Sequence, residues 1–240
     1  ARYVQAADRC VQDILRRGKL PVLVGGTGLY LDALIRGTDF AAGSQGTEIR
    51  QELQRRARTE GIETLLEELR RIDPIAAEKL HLRDEKRIIR ALEVWQETGR
   101  TITEHDRLER QQPPKYDALY IGLDFIDRQD LRDRIDRRVD IMVEQGLLAE
   151  VKALLDSGLP RDATALQAIG YKQFLAVAEG TATTEEAIAE VKLRSRQYAK
   201  RQLTWLRRNP DIFWVRWQRD PNFPEGLQKA TEYLHSRGLC

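Results

Sequence analysis

Cysteine is nearly absent from this sequence. Cys10 and Cys240 are the 2 cysteines among 240 residues, at opposite ends of the chain. That spacing excludes a disulfide framework and a cysteine-built metal site. Histidine is as scarce: the 3 histidines, His81, His105 and His235, share no ligand spacing, and no zinc site is expected. No apolar run approaches the roughly 20 residues that a membrane-spanning helix requires. No basic-then-apolar signal segment opens the chain, and a cytoplasmic location is the expectation. An excess of one charge sign is also lacking. The formal net charge of +2 gives by itself no reason to expect nucleic acid. Repeats and low-complexity segments are absent.

What is present is an ordinary globular composition, 41% hydrophobic and 32% charged, in a chain long enough for an α/β domain and a smaller inserted unit. Ala7, Val11 and Ile14 recur at helical spacing, and Arg16-Arg17-Gly18 supplies a basic last turn and a stop. Leu20-Pro21-Val22-Leu23-Val24 is continuously apolar and valine-rich. It predicts a buried strand of a parallel sheet. Gly25-Gly26-Thr27-Gly28 follows, then a helix over 29–35.

From Thr47 to about Arg110 the patterns are helical throughout. Ile49, Leu53 and Ala57 form one stripe, and Leu65, Leu66, Leu69 and Ile72 a second. Asp73-Pro74 reads as a cap with proline at the first helical position. Ile88, Ile89, Leu92 and Trp95 form a further stripe that stops at Gly99, and Thr101 with Glu104 makes a capping box. Gln111-Gln112-Pro113-Pro114 reads as a linker. Beyond it a strand is expected over 118–124, then a helix capped by Asp127 and Asp130 and carrying Leu131, Ile135, Val139 and Met142. A helix over 147–156, one opening near Gly170-Tyr171-Lys172, a long one capped by Thr183 and Glu186, a strand over 212–217 and a final helix complete the chain. The organisation is an α/β core with an all-helical insertion: core over 1–44, insertion over 45–115, core again over 116–240.

Ligands of such sheets bind beyond the C-terminal strand ends. Thr27 lies after one of the expected strands. Its glycines fit a tight turn with Thr27 as a cap, or a close backbone approach to a ligand. Arg138 borders the apolar stripe of its helix, where it could grip an anion in a bidentate fork, snorkel, or pair with Asp136 or Asp140. The long helix carries acids early (Glu185, Glu186, Glu190) and bases late (Lys200, Arg201, Arg207). That order suits the helix dipole, and it also suits a basic prong along RNA with Tyr198 and Trp205 beside it.

Five segments in this order resemble the tRNA dimethylallyltransferase family. They are Leu23-Val24-Gly25-Gly26-Thr27-Gly28-Leu29-Tyr30, Asp73-Pro74, Arg90-Ala91-Leu92-Glu93-Val94, Gly170-Tyr171-Lys172-Gln173 and Arg196-Gln197-Tyr198-Ala199-Lys200-Arg201-Gln202. The resemblance implies a P-loop-kinase-like parallel-sheet core and a helical insertion that clamps a tRNA anticodon stem-loop. It implies transfer of a dimethylallyl group from dimethylallyl diphosphate to the exocyclic amine of the adenine 3′ of the anticodon, by a monomer assisted by Mg2+. It further implies that Thr27 contacts the target adenosine, that Arg138 binds the diphosphate and that Arg50 contacts tRNA. Contacts are implied also for Lys86, Arg87, Ile88, Ile89 and Arg90, for Gln167, Ala168, Ile169, Gly170, Tyr171 and Lys172, and for Lys200, Arg201, Gln202, Leu203, Thr204, Trp205, Leu206 and Arg207. The family's phosphate loop, Gly-x-x-x-x-Gly-Lys-Ser/Thr, has no counterpart here, so that loop, the Mg2+ ligands and the catalytic aspartate are expected upstream, and this segment alone is expected to be inactive. The rival readings are an adenylate dimethylallyltransferase acting on free nucleotides, a small-molecule P-loop kinase and a non-catalytic RNA-binding module.

Overall fold

The structure is a computed structural model that describes residues 2–38 and 48–239. The expected boundary at 44/45 and the start of the insertion at Thr47 lie outside the described residues. The chain divides into two compact units, residues 1–118 and 119–240.

In the first unit, α1 (Arg2–Arg16) packs on α2 (Gly28–Arg36). The run between them departs from expectation: residues 20–24 form no strand. They are exposed rather than buried, Val22 by 74% and Val24 by 94%. Valine favours a strand only where a neighbouring strand completes the hydrogen-bond ladder, and none among the described residues pairs here.

The helical block follows as α3 (Glu48–Thr59), α4 (Ile62–Ile72), α5 (Pro74–Glu78), α6 (Glu85–Thr98) and α7 (Ile102–Gln111). Helix α6 is central and packs against α3, α4 and α7. Leu53, Leu65, Leu66, Leu69, Ile88, Ile89 and Leu92 form its core. Because α6 is covered on several sides, burial over 88–94 exceeds a single stripe: Ala91, Glu93 and Val94 are buried, while Trp95, expected in the stripe, is exposed. The expected caps are present. Thr101 and Glu104 close their capping box at the start of α7. Asp73 accepts from the Ala76 amide at 3.0 Å, and also from the Thr103 amide at 3.0 Å and the Thr103 hydroxyl at 2.7 Å. One buried carboxylate thereby caps α5 and ties it to α7.

The chain then returns to α1 and α2. Thr38 Oγ1 donates to Glu109, the Tyr116 amide donates to the Ile35 carbonyl at 3.1 Å, and Asp8 Oδ1 accepts from Lys115 Nζ at 2.5 Å and from the Tyr116 hydroxyl at 2.6 Å. Those two bonds, Lys115 first, hold the Asp8 carboxyl below the usual carboxylate range.

In the second unit, β1 (Ile121–Phe125) and β2 (Phe213–Trp217) pair in parallel, Ile121 opposite Phe213 and Asp124 opposite Arg216. Four helices, α8 (Arg128–Glu144), α9 (Leu147–Asp156), α10 (Tyr171–Ala178) and α11 (Thr184–Leu206), pack around a second core of Val139, Leu147, Val151, Phe174, Ala187 and Val191. Asp127 caps α8, and Thr183 with Glu186 boxes the start of α11. Helix α12 (Phe223–Ser236) packs on β2 through stacked Phe213 and Tyr233 rings, 4.5 Å apart, and through Trp217 lying over Gly226. A Cβ at Gly226 would lie 2.0 Å from the Trp217 ring, so only glycine fits there. No helix among the described residues is long and apolar enough to cross a membrane.

Candidate functional site

Thr27 sits exposed at the N-cap position of α2. Its side chain makes no cap bond to the helix amides, so capping does not account for the hydroxyl. Gly25, Gly26 and Gly28 all avoid positive φ, and a Cβ on Gly25 would meet nothing within 4 Å. Chain handedness therefore does not demand glycine here. Tyr30, one turn on, stacks on Tyr3 at 4.6 Å.

Helix α6 starts with Glu85, Lys86 and Arg87. Two bases in a first turn oppose the helix dipole, a cost of about 0.3–1 kcal/mol each at an exposed site. Acids stand beside both bases: Asp84 is the N-cap, Glu85 opens the helix, and Arg87 Nη1 lies 4.0 Å from Asp84 Oδ1. Lys86 and Arg87 are exposed. Ile88 and Ile89, implied as contacts with them, are instead core residues at 0% and 4% exposure, because α6 is the central helix. Their side chains hold the helix and do not reach its surface. One turn on, Arg90 and, from α3, Arg50 converge on buried Glu93.

Along α11 the bases divide into two groups. Arg196 pairs with Asp136 at 2.5 Å, Lys192 with Asp140 at 2.6 Å, and Arg207 with buried Asp124 at 2.8 Å. These fasten α11 to α8 and to the C-terminal end of β1. Lys200 and Arg201 are exposed, and Arg201 lies 5.6 Å from the Tyr198 ring centre. Arg208 lies 5.1 Å from the centre of the Trp205 ring. Thr204 is exposed and its hydroxyl donates back to the Lys200 carbonyl, whereas Gln202, Leu203, Trp205 and Leu206 are half-buried.

The same pairs decide among the readings of Arg138. Asp136 and Asp140 hold Arg196 and Lys192, so neither is the partner of Arg138, which is exposed on α8 beside Arg134 and Arg137. Before α10, Gln167, Ala168 and Ile169 form an exposed turn, and Gly170 adopts φ 104°, a left-handed conformation that favours glycine. The Gly170 amide donates to the Gln173 side chain at 2.9 Å, the Tyr171 hydroxyl to Glu150 at 2.5 Å, and Lys172 is exposed.

Residues 1–209 match the family model described as IPP transferase. The chain belongs to that family. A tRNA dimethylallyltransferase of Carboxydothermus hydrogenoformans is 44% identical over 234 residues, covering 98% of this chain and 73% of that protein. The solved tRNA isopentenylpyrophosphate transferase of Bacillus halodurans is 37% identical with a TM-score of 0.65, covering 97% of this chain and 72% of that one. A eukaryotic dimethylallyltransferase solved acting on tRNA is 26% identical with a TM-score of 0.75, covering 98% and 62%. The fold is therefore that of the IPP transferases, largely helical with a small parallel sheet among the described residues. In this IPP transferase, β2 and α12 lie beyond the matched residues.

Two residues that sequence reasoning did not single out as functional emerge beside the implied contacts: Glu93 under Arg50 and Arg90, and Asp124 under Arg207. An acid inside the apolar stretch over 88–94 was the available signal for the first. Among the described residues no three acidic, histidine or cysteine side chains converge as a cation site. They do not by themselves make the Mg2+ site that the resemblance implies.

Proposed function

We propose that this IPP transferase moves the dimethylallyl group of dimethylallyl diphosphate to the exocyclic amine of the adenine that follows a tRNA anticodon. The observation that carries the reading is the match, over 98% of the chain, to a relative that bears the name tRNA dimethylallyltransferase, in a chain that exposes Lys86 and Arg87 at the start of α6. Lys86 and Arg87, with Lys200 and Arg201 in the second unit, are the cations offered to the RNA backbone. Such contacts position a nucleic acid without reading its sequence.

In the reaction, the adenine amine attacks the allylic carbon of the donor, the carbon–oxygen bond breaks, and diphosphate leaves with the electron pair while the amine gives up a proton. Arg138 is assigned the departing diphosphate: a guanidinium binds two phosphate oxygens in one plane and does not lose its charge. Thr27 is assigned the adenosine, its hydroxyl orienting the base. A base in a single-stranded loop is turned out at lower cost than one in a duplex. The test is nucleoside mass spectrometry after incubating the full-length protein with tRNA, dimethylallyl diphosphate and Mg2+. Prenyl-adenosine in tRNA is the expected product. Prenylated free nucleotide without prenylated tRNA would move the protein to the adenylate class.

A further inference from the structure

Helix α8 carries five arginines, Arg128, Arg132, Arg134, Arg137 and Arg138, and all are exposed. No acid among the described residues forms an ion pair with any of them. The helix does not lack acids. Asp127 caps it, Asp133 accepts from Gln129 Nε2 at 2.7 Å, and Asp136 and Asp140 turn to Arg196 and Lys192 on α11. Asp130 lies four residues before Arg134, a spacing that allows a pair along the helix, and makes none.

Residues four apart on a helix are neighbours on one face. Arg134 and Arg138 have that spacing, so two like charges lie side by side, an arrangement that works against the helix. Arg132 stands about 120° around the axis from Arg138, off that flank. Helix α8 leaves the C-terminal end of β1 after Ile126 and Asp127, and Arg134 is one turn closer to that end than Arg138. Ligands of parallel sheets bind beyond such ends. The leaving group of the prenyl donor has two phosphoryl groups, and one guanidinium fork fits one of them. We infer that Arg134 is a second diphosphate-binding residue, the two arginines taking one phosphoryl group each. This inference rests on the assignment of Arg138 to the departing diphosphate. A diphosphate across the pair relieves the repulsion between the two cations, and both keep their charge as the group departs.

The experiment measures inhibition of the full-length protein by inorganic diphosphate and by inorganic phosphate. The KM for the donor, tRNA affinity and a melting curve are taken for each variant. Arg134→Gln should weaken inhibition by diphosphate about tenfold and raise the donor KM in step, the loss of one charged contact. Inhibition by phosphate should change little, since Arg138 still holds a single phosphoryl group. Arg134→Lys keeps the charge and should recover only part of the loss, because an ammonium cannot fork. Melting of Arg134→Gln should not fall, since the change removes a like-charged neighbour. Arg132→Gln should alter neither diphosphate inhibition nor donor KM. If Arg138→Gln weakens diphosphate and Arg134→Gln does not, Arg134 belongs to a solvated face: the inference falls and the Arg138 assignment stands. If neither variant affects diphosphate while nucleoside mass spectrometry still finds prenylated tRNA, both assignments fall and the proposed reaction survives. If Arg134→Gln weakens tRNA and leaves diphosphate alone, the contact is with RNA and the inference is overturned. An equal loss in Arg132→Gln would overturn it too, by making the effect one of overall charge.

Discussion

The Glu93 cluster of the helical block and the long helix of the second unit hold their cations in different ways. In the block, one fully buried acid serves two arginines that remain partly exposed. On α11, acids serve bases one to one: Asp136 takes Arg196, Asp140 takes Lys192 and Asp124 takes Arg207. The first arrangement gathers two arginines from different helices on one acid. The second cancels charge and spends it on fastening α11 to α8 and β1. Similar densities of lysine and arginine in a sequence therefore have different consequences, and the acid beneath each base decides which.

The sharpest way to break the comparison is to remove the acids. Glu93→Ala should destabilise the protein by about 3–5 kcal/mol, since it takes a fully buried carboxylate away from two partly buried guanidinium groups. Asp124→Ala should cost less, about 1–3 kcal/mol, because Arg207 can turn to water. Asp140→Ala removes a more exposed pair and should cost under about 1 kcal/mol. Urea denaturation of the three variants checks the order, and equal effects would mean that the two arrangements do not differ energetically.

Next in size is Arg138, the α8 arginine whose acidic neighbours are engaged elsewhere. Arg138→Ala should raise the KM for the prenyl donor and lower kcat by a combined effect of about 1.5–3 kcal/mol, with tRNA affinity nearly intact. Steady-state kinetics at varied donor concentration would detect it, and loss of tRNA binding with unchanged donor kinetics would reverse the assignment. Smaller again is the effect at the two exposed bases of α11. Lys200→Ala and Arg201→Ala should each reduce the salt slope of tRNA affinity by about 0.7–0.9 and leave the melting temperature unchanged. Thr27→Ala should slow transfer with little change in melting, because its side chain does not cap α2. A melting shift with unaltered transfer would restore a purely structural role.

The smallest effect belongs to Asp8, a third way of holding charge. Its carboxyl is lowered by the bonds from Lys115 and Tyr116, so the stabilisation is present above the unfolded value near 3.9 and is lost as pH falls below it. Asp8→Asn should remove under about 1 kcal/mol at neutral pH and flatten the acid limb of the stability curve. An acid limb identical to that of the unaltered protein would show that the network contributes nothing measurable.

Local signals in this sequence act over a few residues, and those were legible. Asp73-Pro74, Thr101 with Glu104, Asp127, and Thr183 with Glu186 each place a side-chain acceptor within reach of a helix amide a turn or less away, whatever the rest of the chain does. The strand pair was legible within a few residues, expected over 118–124 and 212–217 and found at Ile121–Phe125 and Phe213–Trp217. The motif set also identified the family, which the match over residues 1–209 bears out.

Burial was not local, and there the reading went astray. Residues 20–24 carry the composition of a buried strand and are exposed, because pairing depends on a neighbour that composition does not specify. Ile88 and Ile89 adjoin two surface bases yet lie in the core, and Trp95 shares their helical face yet does not, because α6 meets helices on several sides. Which acid lies under which base was likewise a tertiary matter: Arg50 and Glu93 are separated by 43 positions, and Asp124 and Arg207 by 83. By itself the sequence determined where helices start and stop and to which family the chain belongs. Only the folded chain decided which charges are cancelled and which stay available, since an ion pair depends on distance in space and on how far each partner is removed from water.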